Sequence, residues 1–303
     1  MAGKGRDSPL VTVIIPNFNK EHAPEAVLSV LDQTYSNIEL LVMDGASEDR
    51  FLTPLRNIND DRFFLISEKD RGISHARNKG LKQARGEFLA YLDSDDVWER
   101  DKLKQQMDVF KTHPDVDMVY TDAYLIDYSG RFIVHEGERS RRVSKEEAVY
   151  REPDYPHIYG MRIIPSSVIH RRKMTDELGG FDEDLPTCED WDFFLRMEKS
   201  FKFHRLRKPL IRKRAFFDVM EDGTRKARGS TAATVESQHY YKAVVLRKHL
   251  DNYRKLHDMI PDMVWKISPY HRNFITISSR FWFLGKAHAG FMVRLDRMLG
   301  LLR

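Results

Sequence analysis

Apolar residues gather in short runs at near-regular intervals through the first half of the chain, over residues 11–15, 38–43, 63–67, 88–92 and 118–124. Each run is too short for a helix and rich in branched and aromatic side chains, so each predicts a buried strand. Between the runs the spacing becomes helical. Pro24 stands where a first helical turn tolerates it, and Ala26, Val27, Val30 and Leu31 then recur on one face. Residues 74–84 form a second helical stretch, with Gly86 placed to end it. Strands alternating with helices predict an α/β fold, with a mostly parallel, Rossmann-like sheet flanked by helices. Ligands of such sheets bind beyond the carboxyl ends of the strands.

Those ends carry chemistry. The first strand empties into Pro16-Asn17-Phe18-Asn19, the second into Asp44-Gly45-Ala46-Ser47 and the fourth into Asp93-Ser94-Asp95-Asp96. Three carboxylates so close repel one another unless a cation or a polyhydroxylated ligand offsets their charge. The plainer alternative is that Asp95 or Asp96 caps the helix expected to start near Glu99. No Gly-x-Gly-x-x-Gly follows the first strand, which argues against a dinucleotide cofactor, and there is no Walker phosphate loop. His135-Glu136 begins like a zinc-protease motif, but its fifth position is Arg139. Residues 136–160 are charged and carry prolines, as a surface excursion would be, and 163–170 can form another strand. Gly179-Gly180-Phe181-Asp182 marks a turn, and Cys188-Glu189-Asp190-Trp191-Asp192 opens a helix through acids.

At 303 residues and 41% hydrophobic, the chain can bury a full core. The single cysteine, Cys188, excludes an internal disulfide framework and a thiolate zinc cluster. No apolar run approaches the ~18 residues of a membrane span, so the expected location is cytoplasmic. Charge is unevenly spread. Residues 1–200 carry 28 basic and 38 acidic side chains, whereas 201–303 carry 22 and 8. The basic end suits an anionic partner such as lipid or a phosphorylated substrate; no nucleic-acid-binding module accompanies it.

Five motifs taken together resemble the family 2 inverting glycosyltransferases over about residues 10–200. They are Val11-Thr12-Val13-Ile14-Ile15-Pro16-Asn17-Phe18-Asn19, Asp44-Gly45-Ala46-Ser47-Glu48-Asp49, Ala76-Arg77-Asn78-Lys79-Gly80, Asp93-Ser94-Asp95-Asp96 and Glu189-Asp190-Trp191. The resemblance implies a nucleotide-sugar-binding fold of the A type, a nucleotide-diphosphate sugar donor and a divalent metal, Mn2+ or Mg2+. It places Pro16, Phe18, Asp44, Arg77 and Asp93 about the nucleotide, Asp95 on the metal and Asp190 as the base.

The residue types suit those roles. Phe18 can wall a base or fill the core, and Asp44 can accept from a ring N–H, favouring a uracil-type base, or form a turn. Arg77 can reach base or phosphate oxygens or lie on a helix surface. Asp93 can accept from ribose hydroxyls. Asp95 suffices as a lone protein ligand, because Mg2+-like ions bind through one or two carboxylates plus substrate phosphates. For Asp96 helix capping is the expected role. Asp190 can take a proton from an attacking hydroxyl, or merely complement a helix N-terminus with Glu189 and Asp192. Trp191 is expected to line the sugar site.

One departure from the family pattern concerns the lid. An aromatic-Arg-x-His motif is expected after the catalytic helix, and Leu210-Ile211-Arg212-Lys213-Arg214-Ala215 lacks the histidine, leaving Arg212, Lys213 or Arg214 to bind phosphate. The glycine-bearing stretch 221–230 reads as a mobile loop. Expected domains are 1–215, catalytic, with a nucleotide-binding half of about 10–125 and an acceptor half of about 126–215, then 216–303, that loop and a basic helical extension. Phe281-Trp282-Phe283-Leu284 and Phe291-Met292-Val293 suit an in-plane helix on anionic lipid near a glycan or lipid-linked acceptor, or a face packed on protein. The expected activity is sugar transfer to a hydroxyl, with inversion, in surface polysaccharide assembly. A nucleotidyltransferase would need a glycine-rich loop after strand one, which is not there, and a silent binding scaffold would need neither Asp95 nor Asp190.

Overall fold

The computed structural model describes residues 8–136, 139–150, 163–228 and part of the stretch 241–249. Of the expected helical extension only part of 241–249 is described, as helix; the segments 281–284 and 291–293 lie outside the described residues.

The five sequence runs become strands: β1 (Val11–Asn17), β2 (Ile38–Asp44), β3 (Phe63–Ser67), β4 (Phe88–Tyr91) and β6 (Met118–Ile126). A short β5 (Val97–Trp98) precedes β6, and β7 (Ile133–Glu136), β8 (Arg139–Arg142), β9 (Val149–Tyr150), β10 (Ile169–Arg171) and β11 (Phe203–Arg214) follow it. The main sheet runs β3-β2-β1-β4-β10-β6-β11-β5, with β9 paired to β6. Its first four strands are all parallel, as expected. Beyond β4 the sheet is mixed, because β10 pairs antiparallel with both β4 and β6 while β11 lies parallel to β6.

β1 and β2 are buried at every position, the behaviour of parallel strands covered on both faces. Alternate residues divide between two cores. Val11, Val13 and Ile15 meet Leu40, Val42 and the apolar stripe of α1 (Ala23–Leu31). Ile14 faces the other way, with Leu41, Met43 and Ala76 of α3 (Ile73–Gln83). A Cβ at Gly80 would stand 2.6 Å from Ile14, so this helix lies on the sheet at a distance only glycine permits. α2 (Asp49–Arg56) follows β2, α4 (Lys102–Thr112) follows β5, and α5 (Lys173–Leu178) and α6 (Glu189–Glu198) precede β11.

Several elements depart from expectation for identifiable reasons. The run 163–170 is a strand only at its end: Pro165–Ser167 is a 3-10 turn, since Pro165 has no N–H to give a ladder. The helix expected near Glu99 starts at Lys102 because Val97 and Trp98 pair with β11 instead. Residues 133–142 form a hairpin of β7 and β8 in place of a structureless excursion. The stretch expected to be mobile continues as β12 (Phe217–Val219) and β13 (Arg225–Ala227), joined by a turn with Gly223 at φ 79°. Asp218 on β12 accepts from Ser129, and the Phe217 carbonyl accepts from Tyr128 N–H. The compact unit therefore runs past residue 215, to Lys248. Within β11, five steps from Leu206 to Ile211 answer two steps from Thr121 to Ala123, a bulge at Pro209.

Lys102 is a local anomaly. It is wholly buried in the first turn of α4, its Nζ donates to Gln106 Oε1 at 2.7 Å and lies 4.0 Å from the Trp98 ring centroid, and among the described residues no carboxylate pairs with it. Burial drives its pKa well below the usual lysine value. Lys102→Met, similar in volume and uncharged, is expected to raise stability by about 1 to 3 kcal/mol at pH 7 in urea unfolding. Because the fold favours the neutral amine, its penalty falls as pH rises towards the unfolded lysine pKa of about 10.4, so the gap between variant and wild type narrows from pH 7 to 10.

Candidate active site

The parallel pairing aligns the carboxyl ends of β1, β2 and β3 in one rim, with Asn17 opposite Asp44 and Asp44 opposite Ser67. β4 ends beside them and delivers the loop from Asp93 to Asp96.

Asp44 is the knot of the first two loops. It is 2% exposed and accepts four hydrogen bonds, from Asn17 Nδ2 at 2.7 Å, Ser47 N at 2.9 Å, Ser47 Oγ at 2.5 Å and Ser67 Oγ at 2.6 Å. A carboxylate has about four acceptor sites, so these are filled. Asn19, at φ 50°, completes the lock: its N–H donates to Ser47 Oγ and its Oδ1 accepts from Glu48 N–H. Between these ties Phe18 stands 59% exposed, which rules out core filling, whereas Pro16 is buried in β1.

In the third loop each acid has a different partner. Asp93 accepts from Arg77 Nη2 at 2.8 Å, and its N–H donates to Ser166 Oγ. Asp95 pairs with Lys20 Nζ at 2.8 Å. Asp96 caps no helix. It is buried, and accepts from Ser166 Oγ at 2.6 Å and from Arg214 N–H at 2.9 Å, tying the loop to the 3-10 turn and to β11. Burial, then the neighbouring Asp95 and Asp93 charges, push its carboxyl up to about 7.

Arg77 is no surface residue. At 1% exposure it gives Nη2 to Asp93 and Nη1 to Glu189 Oε1 at 2.7 Å, with its guanidinium 5.0 Å from the Phe181 ring centroid. Burial alone would lower its pKa; the charges of Asp93, Glu189 and Asp190 outweigh that and raise it. Asn78, next along α3, brackets the Phe181 backbone: Nδ2 donates to its carbonyl and Oδ1 accepts from its N–H.

Those contacts place α6. Cys188 precedes it at φ 62°, so the chain turns sharply before the acids. Glu189 goes to Arg77, while Asp192 takes Arg196 and Lys248. Asp190, half-buried, accepts from Trp191 N–H at 2.7 Å, and its carboxyl is pushed up to about 7 by burial and by Glu189, with Arg77 pulling partly the other way. General complementarity to a helix end does not account for three acids with three separate duties. Trp191 is 4% exposed and is not set out as a sugar-lining surface.

Among the residues expected to replace the lid histidine, Arg212 pairs with Glu99. Arg214 is buried against Glu25, the Asp95 carbonyl and the Tyr128 carbonyl. Lys213, between them, is exposed.

Among the described residues no cluster of three or more His, Cys, Asp or Glu could hold a metal. The donor set fits a divalent ion only in company: Asp95 is one hard oxygen ligand and the acids around it crowd negative charge, so further ligands must come from a substrate's phosphates and from water. Lys20, Ser166 and Asn78 do structural work at this site that sequence reasoning missed. Ser166 had one usable signal, its place directly after Pro165; Asn78 lay inside the Ala76 to Gly80 motif without an assigned partner, and Lys20 fell one residue beyond the Val11 to Asn19 motif.

Strand ends, acids and a helix-borne carboxyl converge in this way on one rim of an A-type sheet. The chain belongs to glycosyl transferase family 2, whose model matches residues 12–171. It is 38% identical over 132 residues to the UDP-Glc:alpha-D-GlcNAc-diphosphoundecaprenol beta-1,3-glucosyltransferase WfgD of Escherichia coli, covering 42% of this chain and 52% of that one. The chain thus spans about half the length of that relative. An uncharacterized glycosyltransferase of Methanocaldococcus jannaschii, MJ1057, is 24% identical over 87% of each chain. The Staphylococcus aureus TarS 1-349 structure in complex with UDP-GlcNAc shares the fold, with a TM-score of 0.56, 19% identity and coverage of 86% of this chain and 77% of that one. So does the mannosyltransferase PcManGT of Pyrobaculum calidifontis in complex with GDP-Man and Mn2+, with a TM-score of 0.52, 16% identity and coverage of 95% and 84%.

Removing the central cation leaves the buried Glu189 and the partly exposed Asp93 without their shared partner. Arg77→Met is expected to lower stability by about 3 to 5 kcal/mol in urea unfolding, the cost typical of breaking a buried ion pair from one side.

Proposed function

We propose that this chain is an inverting glycosyltransferase that moves a sugar from a UDP-sugar to a hydroxyl of a lipid-linked glycan. The observation that carries the reading is the single buried guanidinium of Arg77 bonded to both Asp93, at the end of β4, and Glu189, at the start of the helix bearing Asp190. Donor-side acid and candidate base are thereby held in one frame.

In this reading Phe18 walls the base and the second oxygen of Asp93 accepts from ribose. Asp44 acts chiefly by fixing the loops that present Phe18; a direct bond to a ring N–H would require one of its serine hydroxyls to turn aside. Asp95 holds a divalent ion together with the donor's diphosphate, and such an ion supplies charge neutralisation for the departing nucleoside diphosphate. Asp190 keeps Oδ1 on the Trp191 N–H, leaving Oδ2 to take the acceptor's proton as its oxygen attacks the anomeric carbon opposite the leaving group. One displacement inverts that centre. The UDP-GlcNAc bound by TarS and the UDP-Glc in WfgD's name support a uridine donor. A lipid-linked acceptor is supported by WfgD's name, and a part in polysaccharide assembly by that of the putative teichuronic acid biosynthesis glycosyltransferase TuaG of Bacillus subtilis, 38% identical over 104 residues. No helix among the described residues is long and apolar enough to cross a membrane, and the basic surplus after residue 200 supports docking on anionic lipid.

The direct test is a thermal-shift comparison of UDP, GDP, CMP and dTDP, each with and without Mn2+. A metal-dependent rise with UDP is expected. Asp190→Asn should keep UDP affinity within about threefold while kcat falls on the order of 10²-fold or more. Because Asp190 must be ionised to accept a proton, wild-type kcat/KM should rise with pH and level off above about 7, a limb missing from the variant's residual rate. Asp95→Ala should abolish the Mn2+-dependent part of the UDP shift, read by calorimetry, and an unchanged metal requirement would place the ligand elsewhere.

A further inference from the structure

The acidic loop after β4 draws cations from several elements, and most of them are already committed. Arg77 is divided between Asp93 and Glu189, and Lys20 is paired with Asp95. Arg214 binds Glu25 and two backbone carbonyls, one of them that of Asp95. Arg212, one step before Lys213, is held by Glu99.

Lys213 differs. It sits on β11 between two cations that turn to the other side of the strand, and the backbone N–H of the next residue bonds Asp96 directly. Its side chain is exposed, and among the described residues it has no hydrogen-bond or ion-pair partner. Crowding there would lower its pKa, but the charges of Asp96, Asp93 and Asp190 outweigh that and raise it. The ammonium is thus kept charged by acids on both sides of the crevice while, among the described residues, none of its donors is committed to a protein acceptor. A charged group left open in such a field is suited to a dianionic ligand that enters later.

We infer that Lys213 binds the diphosphate of the sugar nucleotide, as the one uncommitted cation that β11 presents to the crevice. The inference rests on the transferase reading and assigns the residue that takes up charge on the departing diphosphate. Arg212 and Arg214 are then structural, holding the strand that carries it.

The test is calorimetric titration of wild type, Lys213→Met and Lys213→Arg with UDP in Mn2+, alongside uridine followed by ligand-observed NMR. Lys213→Met is expected to weaken UDP on the order of 10- to 100-fold, the worth of a lost charge-assisted contact, and to leave uridine unchanged. Lys213→Arg should keep most of the UDP affinity. Unchanged UDP binding by Lys213→Met overturns the assignment alone, and equal weakening of UDP and uridine overturns it by showing a general distortion. If wild type binds neither UDP nor GDP, the transferase reading falls and the assignment with it.

Discussion

The structure depends on a buried cation shared between two acids far apart in the sequence. Arg77 lies on the helix after β3, Asp93 at the end of β4, and Glu189 more than a hundred positions along from Arg77. Desolvating a guanidinium costs several kcal/mol, and here the cost is offset because both terminal nitrogens find carboxylates, although the buried Nε has no partner. The arrangement has an electrostatic by-product. Glu189 and Asp190 are adjacent on α6, and the charge that Arg77 leaves uncompensated there helps keep the Asp190 carboxyl near neutrality.

The same economy of partners governs the acidic loop. Asp93, Asp95 and Asp96 would repel one another in isolation, yet each is assigned to a separate neighbour: a buried arginine, a flexible lysine, and a serine with a backbone amide. Lys20 is the most exposed of these partners, so Asp95 is the acid whose pairing is least costly to exchange. Asp96 and Asp44 are the opposite case. Both are buried with both oxygens hydrogen-bonded, and they shape backbone.

Much of this was legible in the sequence, and the failures have physical causes. The parallel half of the sheet followed from apolar runs buried on both faces, and the order of the motifs indicated the A-type fold. The rim acids and Asp190 were identified as candidates because carboxylates at strand ends and helix starts are expensive without a purpose. What the sequence hid were pairings across long separations. Arg77 reads as a helix-surface arginine until Glu189 arrives 112 positions later, and Asp96 reads as a cap until β5 displaces the helix start. The antiparallel β10 was obscured by Pro165, and the hairpin of β12 and β13 by a polar composition that also suits a loop.

The bulge at Pro209 sets the phase of everything after it. Side chains on a strand alternate, so an odd number of surplus residues reverses which of them meet the crevice. Removing one residue between Leu206 and Ile211 would turn Lys213 inwards and present its arginine neighbours in its place, with no change to any residue of the site itself. Length in this short segment therefore sets which β11 side chains share a face with the crevice.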